Sequence, residues 1–425
     1  MKKFIQAAGL LTAAGAASFC HASSLSAGDA SRPWSVSAAI KGFYDDNMFA
    51  APKGLNKLDS FGFDIGPAIN LNLPLDQTVL TLGYQFNARW FEARNKDEWD
   101  LYHAFTGRLS HTFNPRFKLD LDESFTIAQE PEQFGNIGGA SVPFRSKGNN
   151  MINRAGAEFT AVLTRTLSTV IGYHNNLYDY TDTQVPYVLP GGTPSVLPSY
   201  GPILDRIEHE MGGDLRYQFN NTTTGRFGYQ YGIYDYSKRN VSDHDTHYIF
   251  AGADHSFTSQ LQGSIRGGVE ISNYENAASH SSDTSPRAEA SLNYTYRADS
   301  TVNVGAFHRR AATDVILSGP DVVTDAQASA GYIGVHHAIT PKLKGSLTAT
   351  YQFSSYQYAG VGVSDNENYI GIGVGFQYEF TRWLSAEANY YFDDRNSSIH
   401  NQFGGSVSSY DYSRNRFFLG VRIRY

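Results

Sequence analysis

The chain has 425 residues and a formal net charge of −7, and its 34 lysines and arginines are scattered, so no basic stripe marks it for nucleic acid. Only 18% of residues are charged, whereas 14% are aromatic, with 28 tyrosines, 27 phenylalanines and 40 glycines. That balance speaks against a helical protein and for β-structure, because aromatic and β-branched side chains fit a pleated surface.

The first element is an address. Lys2 and Lys3 precede the apolar run FIQAAGLLTAAGAASF, and CHAS follows, with Cys20 and Ala22 at the −3 and −1 positions of a small-residue cleavage site. Residues 1–22 are therefore expected to be a signal peptide cut after Ala22, and residues 23–33 a short periplasmic segment. Lipid attachment at Cys20 fits less well, because bulky Phe19 stands where such sites take a small residue. A chain starting at Ser23 holds no cysteine, so an exported protein has to be stable without disulfides. No later stretch reaches 18 consecutive apolar residues, so no transmembrane helix is expected.

From residue 34 onward the pattern has period two. VLTLGYQFNARW sets Leu80, Leu82, Tyr84, Phe86, Ala88 and Trp90 against Thr81, Gly83, Gln85, Asn87 and Arg89. LKGSLTATYQF and YIGIGVGFQYEF repeat the scheme at 343–353 and 369–380. Successive side chains of a strand point to opposite faces, so each segment is a strand with one apolar and one polar face. Short turns join the strands in pairs: PLDQT (74–78), NPR (114–116), TRT (164–166), NNTTT (220–224), TSQ (258–260), RADS (297–300), TPK (340–342) and TRW (381–383). The opposite ends connect through longer stretches. The largest, 130–150 and 181–204, are too rich in Gly and Pro for continuous strand. Eight short turns alternating with about nine longer loops predict about 18 strands over residues 34–425, with both termini on the short-turn side.

A soluble sandwich or propeller also has two-faced strands. Here, however, the segments often run 11–15 residues, long enough to cross hydrocarbon at a tilt. Short turns on one side and long loops on the other suit short periplasmic turns and long extracellular loops. Aromatics crowd the strand ends at Phe43/Tyr44, Trp90/Phe91, Tyr178/Tyr180, Tyr234/Tyr236, Tyr390/Tyr391/Phe392 and Tyr410/Tyr412, as expected of interfacial girdles. Closure would satisfy every backbone group in lipid. The expected fold is an all-β transmembrane antiparallel barrel. Two places fit poorly. FKLDLDESF puts Glu123 on the face of Leu121 and Phe125, which calls for a bulge or a membrane exit, and the facing of Thr169 and Val170 is ambiguous.

The register then assigns charges to the lumen. Candidates are Asp64, Arg89, Arg108, Asp122, Glu158, Glu210, Asp214, Arg266, Glu289, Glu387 and Arg422, along with Lys41, Lys118, Asp120, Arg154, Arg206, Glu208, Arg216, Glu270, Arg287, Arg309, Glu379, Arg416 and Arg424. So many ions do not fit a dry core. For any single residue an ion pair along the inner wall is the simpler reading; together they call for water inside. The signs are mixed, so strong ion selectivity is not expected. In the loops, Asp45, Asp46, Asn47, Asp393 and Asp394 have the oxygen chemistry of calcium ligands, although solvated acidic turns are commoner. HDTH, from His244 to His247, raises a metal site in the same weak sense. No GxSxG elbow, HExxH or phosphate loop occurs, so no enzyme and no cofactor are expected. The 130–150 stretch, with GNIGG, Arg145 and Lys147, is long enough to fold into the lumen and narrow it.

The chain ends in RFFLGVRIRY, where Phe417, Leu419, Val421, Ile423 and Tyr425 alternate with Arg416, Arg422 and Arg424. This resembles the C-terminal signal of bacterial outer-membrane β-barrel proteins, with Tyr425 in place of the usual Phe. The opening segment SVSAAIKGFYDDNMF (35–49), with Tyr44-Asp45-Asp46-Asn47, is similar to the β-barrel porin type 2 family. The resemblance implies the cell outer membrane, with lipid, periplasmic chaperones and the barrel-assembly machinery as partners. It also implies a porin-like channel for small hydrophilic solutes, with no nucleic acid bound. Polysaccharide export, or a structural or adhesive surface barrel with an occluded lumen, are the alternatives. N-terminal sequencing of the exported protein should begin at Ser23; an intact Met1 or a lipidated Cys20 would refute the assigned cleavage.

Overall fold

A computed structural model of the chain describes residues 33–425 apart from 54–56, 96–97, 130–131, 138–139, 144–148, 182–183, 189–193, 199–203, 239–241, 277–281, 313–322, 359–363, 399, 404–405 and 410. The expected signal peptide 1–22, Arg145, Lys147 and Tyr410 lie outside the described residues. The strands are β1 (Trp34–Asp45), β2 (Ser60–Pro74), β3 (Thr78–Phe91), β4 (Trp99–Asn114), β5 (Phe117–Ala128), β6 (Glu132–Ile137), β7 (Ala140–Pro143), β8 (Asn150–Val162), β9 (Leu167–Tyr180), β10 (Gln184–Val188), β11 (Pro194–Pro198) and β12 (Arg206–Gln218). They continue with β13 (Thr223–Tyr236), β14 (His244–Ser256), β15 (Leu261–Tyr274), β16 (Ser282–Arg297), β17 (Ser300–Ala311), β18 (Val323–Ala338), β19 (Leu343–Tyr358), β20 (Ser364–Glu379), β21 (Leu384–Ser397), β22 (His400–Phe403), β23 (Ser406–Ser409) and β24 (Tyr412–Arg424).

Eighteen of these form one antiparallel sheet in which each strand pairs with the next in the chain and β24 pairs with β1, so the sheet closes into a barrel. The other six make three separate two-stranded ribbons, β6–β7, β10–β11 and β22–β23, inside the longer loops. The two Gly/Pro-rich stretches therefore hold short hairpins rather than barrel strands.

Register sets the barrel's shape. Ile40 pairs with Ile65, Ile65 with Ala88 and Ala88 with Leu101; tracing the pairs once around returns to β1 about 22 residues further along. With a rise of about 3.3 Å per residue and strands about 4.8 Å apart, that stagger tilts the strands by about 40° and gives a backbone radius of about 18 Å. Barrels of this size leave room inside for water and for loops.

The turns share one device. The side-chain oxygen of the first turn residue accepts N–H groups two and three residues on. Thr164 takes Leu167 at 3.0 Å, Thr258 takes Leu261 at 2.9 Å, Thr340 takes Leu343 at 3.0 Å and Thr381 takes Leu384 at 3.1 Å. Asn114 does the same for Arg116 at 2.8 Å, and Asn220 for Thr222 at 2.8 Å. In RADS, Asp299 adopts φ 57°, a left-handed conformation that Asp tolerates.

Along each barrel strand the apolar set stays exposed while alternate positions are covered: Ile40 is 58% exposed, Ile171 60% and Leu419 69%. A predominantly apolar band around a closed barrel is a lipid-facing surface. Aromatics rim its turn side, where Trp34 and Tyr425 approach to 5.8 Å at the seam. The largest fully buried side chains, among them Tyr356, Tyr369, Phe91, Met48 and Leu204, lie toward the long-loop end.

The seam is fastened at that end. Arg414 Nε donates to both Asp45 carboxylate oxygens at 3.0 Å, with Asp45 2% and Arg414 4% exposed. The Asn415 backbone N–H and Nδ2 donate to Asp46 at 2.6 and 2.7 Å. Asn47 Nδ2 donates to the carbonyls of Ala51 and Ser413, both at 3.1 Å. The Tyr-Asp-Asp-Asn segment is thus a clasp between the first and last strands. Removing one member of a buried pair strands its partner. Asp45→Ala should lower the unfolding free energy by about 3–5 kcal/mol in urea titrations in lipid vesicles. A loss below about 1 kcal/mol, the range of an exposed pair, would contradict the clasp.

Candidate functional site

The inward-facing side chains are the candidate site. All eleven lumen candidates stand at inward positions of their strands, opposite the exposed apolar set. Most are engaged with wall neighbours. Arg89 Nε and Nη2 reach Asp64 at 3.1 and 3.0 Å, and Asn87 donates to the other Asp64 oxygen at 2.6 Å. Glu387 lies between Lys41, at 2.8 Å, and Arg422. Arg266 Nε donates to Glu289 at 2.8 Å. Glu210 accepts from Tyr234 at 2.6 Å and Gln230 at 2.9 Å. Asp214 accepts from Arg216 at 2.9 Å and from Arg226 at 2.8 Å. Arg226, absent from the sequence candidates, also lies 3.7 Å from Asp254. Its parity with Gln230 and Tyr234 was the available signal.

Three candidates are different. Arg108 and Asp122 face each other in register on β4 and β5, yet neither makes an ion pair or side-chain hydrogen bond among the described residues. Among the described residues, the one ionic neighbour of Glu158 on β8 is His174, at 3.8 Å. Asp122 and His174 both lean over Gly156, where a Cβ would come within 2.5 Å of the carboxylate and 2.8 Å of the imidazole. Glycine there lets both side chains lie close to the wall. Across the barrel, on β17, β18 and β19, stand uncharged Asn303, His336, Ser346 and Thr348. The turn-side lumen thus has one wall with charges of both signs not paired to one another and one wall of mostly polar groups, where Lys344 is paired with Glu379 at 3.1 Å.

The long-loop half differs from expectation. Of the strand-end aromatics, Tyr44, Trp90, Tyr390 and Phe392 face outward, but Phe43, Phe91, Tyr178, Tyr180, Tyr234, Tyr236, Tyr391 and Tyr412 face inward. Alternation forces this: of two adjacent residues, one must point into the barrel. Phe43 and Phe91 pack with Met48, so the β1–β2 loop folds over an apolar cluster inside the rim. Arg89 lies 5.5 Å from the Phe43 ring centroid and 5.2 Å from that of Phe418.

The loop metal candidates are also reassigned. Asp45 is held by Arg414, Asp393 by Arg416 at 2.6 Å and Tyr369 at 2.7 Å, and Asp394 lies 3.0 Å from Lys53. In HDTH, His244 points inward and stacks on Tyr234, whereas His247 points outward and contacts Asp245 at 3.1 Å and Tyr229 at 2.7 Å. Residues three apart on a strand lie on opposite faces, so the two imidazoles do not converge. Val170 faces inward, and Thr169 faces outward, donating to the Asp214 carbonyl at 3.0 Å.

Glu123 is neither at a bulge nor at a membrane exit. Its register is continuous on both sides, and it lies near the middle of the 12-residue strand β5. Its carboxyl is outward and accepts from Asn153 Nδ2 on β8. A polar group in hydrocarbon needs such a partner. Asn153→Leu alone should cost about 1–3 kcal/mol of unfolding free energy, because it leaves the carboxyl unmet. Glu123→Leu combined with Asn153→Leu should restore or exceed the original stability; a double variant no better than the single one would contradict this pairing.

Comparison with known proteins adds the following. The sequence model of the family described as Putative beta-barrel porin 2 matches residues 245–425. No curated protein matches the chain. Among solved structures, OccAB3 of Acinetobacter baumannii is 10% identical, with 92% of this chain and 99% of that one covered at a TM-score of 0.44. OpdK of Pseudomonas aeruginosa, solved with vanillate, is 11% identical, with 92% and 99% covered and a TM-score of 0.45. The ferric-catecholate import receptor Fiu of E. coli is 9% identical, with 91% and 82% covered and a TM-score of 0.43.

Proposed function

We propose that the protein is a porin-like channel in the outer membrane of a double-membraned bacterium, passing small hydrophilic solutes by diffusion. The carrying observation is the opposition of the two faces: an apolar band outside a closed barrel of eighteen strands, and a charged and polar wall inside it. The lumen replaces hydrocarbon by water and fixed polar groups, so a solute keeps partners while crossing. Bore size and the free charges of Arg108, Asp122 and Glu158 act as the filter, whereas the paired charges build the wall. No catalytic step and no cofactor enter this function. Phe417, Leu419, Val421, Ile423 and Tyr425, on the outer face of β24, are the surface we assign to periplasmic chaperones and the barrel-assembly machinery.

The polymer-export alternative would draw on a basic or aromatic track. Arginines and rings do meet at several places, among them Arg154 over Tyr178 and Arg309 over Phe307, but most of these arginines, including Arg89, Arg206, Arg266, Arg287, Arg395 and Arg416, are also matched by a carboxylate. A continuous uncompensated track is therefore not what this wall offers.

Planar-bilayer recording tests the reading. Purified, heat-modifiable protein should give discrete conductance steps, and liposomes should swell in small sugars more than in large ones. Asp122→Asn with Glu158→Gln should move the reversal potential toward anions, and Arg108→Ser toward cations. Folded protein without conductance would refute the channel.

A further inference from the structure

One row of the outer wall is built against its surroundings. Following the register across β5, β8, β9 and β12, the outward residues are Glu123, Ala155, Asn175 and His209. Asn153, next to Ala155 on that face of β8, joins them by donating through Nδ2 to Glu123. Asn175 Nδ2 donates to His209 Nδ1 at 3.2 Å, and the Tyr173 hydroxyl lies 2.8 Å from the same nitrogen. The patch is not at the edge of the membrane. Met151, Leu177 and Ile207 face outward between it and the long-loop rim, and Leu121, Phe159 and Ile171 face outward on its turn side.

The network does not close on itself. Asn175 uses both amide N–H groups, on His209 and on the Glu208 carbonyl at 3.2 Å, which leaves its own carbonyl oxygen over. Asn153 uses one N–H and keeps the other. Since His209 Nδ1 accepts from Asn175, its ring proton sits on Nε2. Among the described residues the Asn175 oxygen, the second Asn153 N–H, the His209 Nε2–H and one Glu123 oxygen have no partner. In hydrocarbon each unmet group destabilises a lone barrel. A lipid acyl chain has neither donor nor acceptor to offer, and a headgroup would have to descend past Met151, Leu177 and Ile207 to bring one.

The same patch on a second copy offers both. Two upright barrels meet about a two-fold axis along the membrane normal, so that what lies left of the axis on one meets what lies right of it on the other. With the axis at Ala155, Asn153 of each copy meets Asn175 of its partner, and the free N–H of one amide reaches the free oxygen of the other. Alanine at the axis lets the two sheets approach closely, as small residues do between membrane-spanning segments. We propose that this row is the contact surface of a side-by-side homodimer, with Asn153 and Asn175 as its reciprocal pair. The dimer requires only the lipid-facing outer band and is independent of conduction.

Two measurements in the membrane test it. Ala155→Cys, in a mature chain otherwise free of cysteine, should give under mild oxidation a reducible band at twice the chain mass. Its yield should far exceed that from Ala349→Cys, which faces outward on β19, nine strands away in either direction. Equal yields, or a cross-link only to a chain of another mass, overturn the homodimer. The second measurement is energy transfer between copies carrying donor and acceptor dyes at the N-terminus, in vesicles diluted stepwise with lipid. Transfer should persist on dilution in the parent protein. It should fall to that of randomly mixed barrels in Glu123→Leu combined with Asn153→Leu, a variant that keeps its heat-modifiable fold because both halves of the pair are removed together. Ala155→Trp should separate the copies by bulk alone. Transfer that dilutes away in the parent, or that persists in either variant, overturns the proposal.

Discussion

Closure of the sheet is the constraint on which everything else in this protein depends. Inside hydrocarbon no water replaces a missing hydrogen bond, so every strand N–H and C=O must find a partner in another strand. A sheet of eighteen strands meets that demand only if its first strand pairs with its last. The two ends of the chain must therefore meet in one register, and the pairing from Ser37–Arg424 to Asp45–Arg416 fixes it. The buried Asp45–Arg414 pair and the Asn47 contacts select that register over a slipped one, because a shift of one residue would turn every side chain of β24 to the wrong face. Stagger, tilt and bore follow from the same choice.

The lumen obeys a second rule. Charges there are plentiful, but most are neutralised by a neighbour one or two strands away, as Asp64 is by Arg89 and Glu387 by Lys41 and Arg422. Such pairs stiffen the wall and cancel at a distance. On the proposed channel reading, a passing solute would meet the remainder, gathered on β4, β5 and β8 and faced by a wall whose Lys344 is paired with Glu379. Mixed charge on the inner wall thus describes its construction, and the unpaired positions describe its selectivity.

Strand number, turn positions, loop asymmetry and facing were legible because each rests on period two or on local turn chemistry. Thr340 and Asn114 announce their turns, and Ile370 or Leu419 their face. What alternation does not carry is whether an inward residue is wet. Phe43 and Phe91 look like girdle residues until the β1–β2 loop is seen to fold over them. Glu123 looks like an error of register until Asn153, thirty residues on, supplies its donor. Each of these depends on contacts between segments remote in sequence, and a periodicity contains no such information. The lumen list was readable residue by residue, but the division into paired and unpaired members was not, since that is decided by side-chain reach.

That division governs how such a pore changes over generations. A charge locked to a neighbour is not replaced alone without stranding its partner, so the wall drifts by exchanging couples: Asp64 with Arg89, Glu289 with Arg266. Arg108, Asp122 and Glu158 are less tightly bound to partners among the described residues, Glu158 having His174 at 3.8 Å. On the channel reading, a single substitution at one of these positions alters what a solute meets while leaving the paired wall intact.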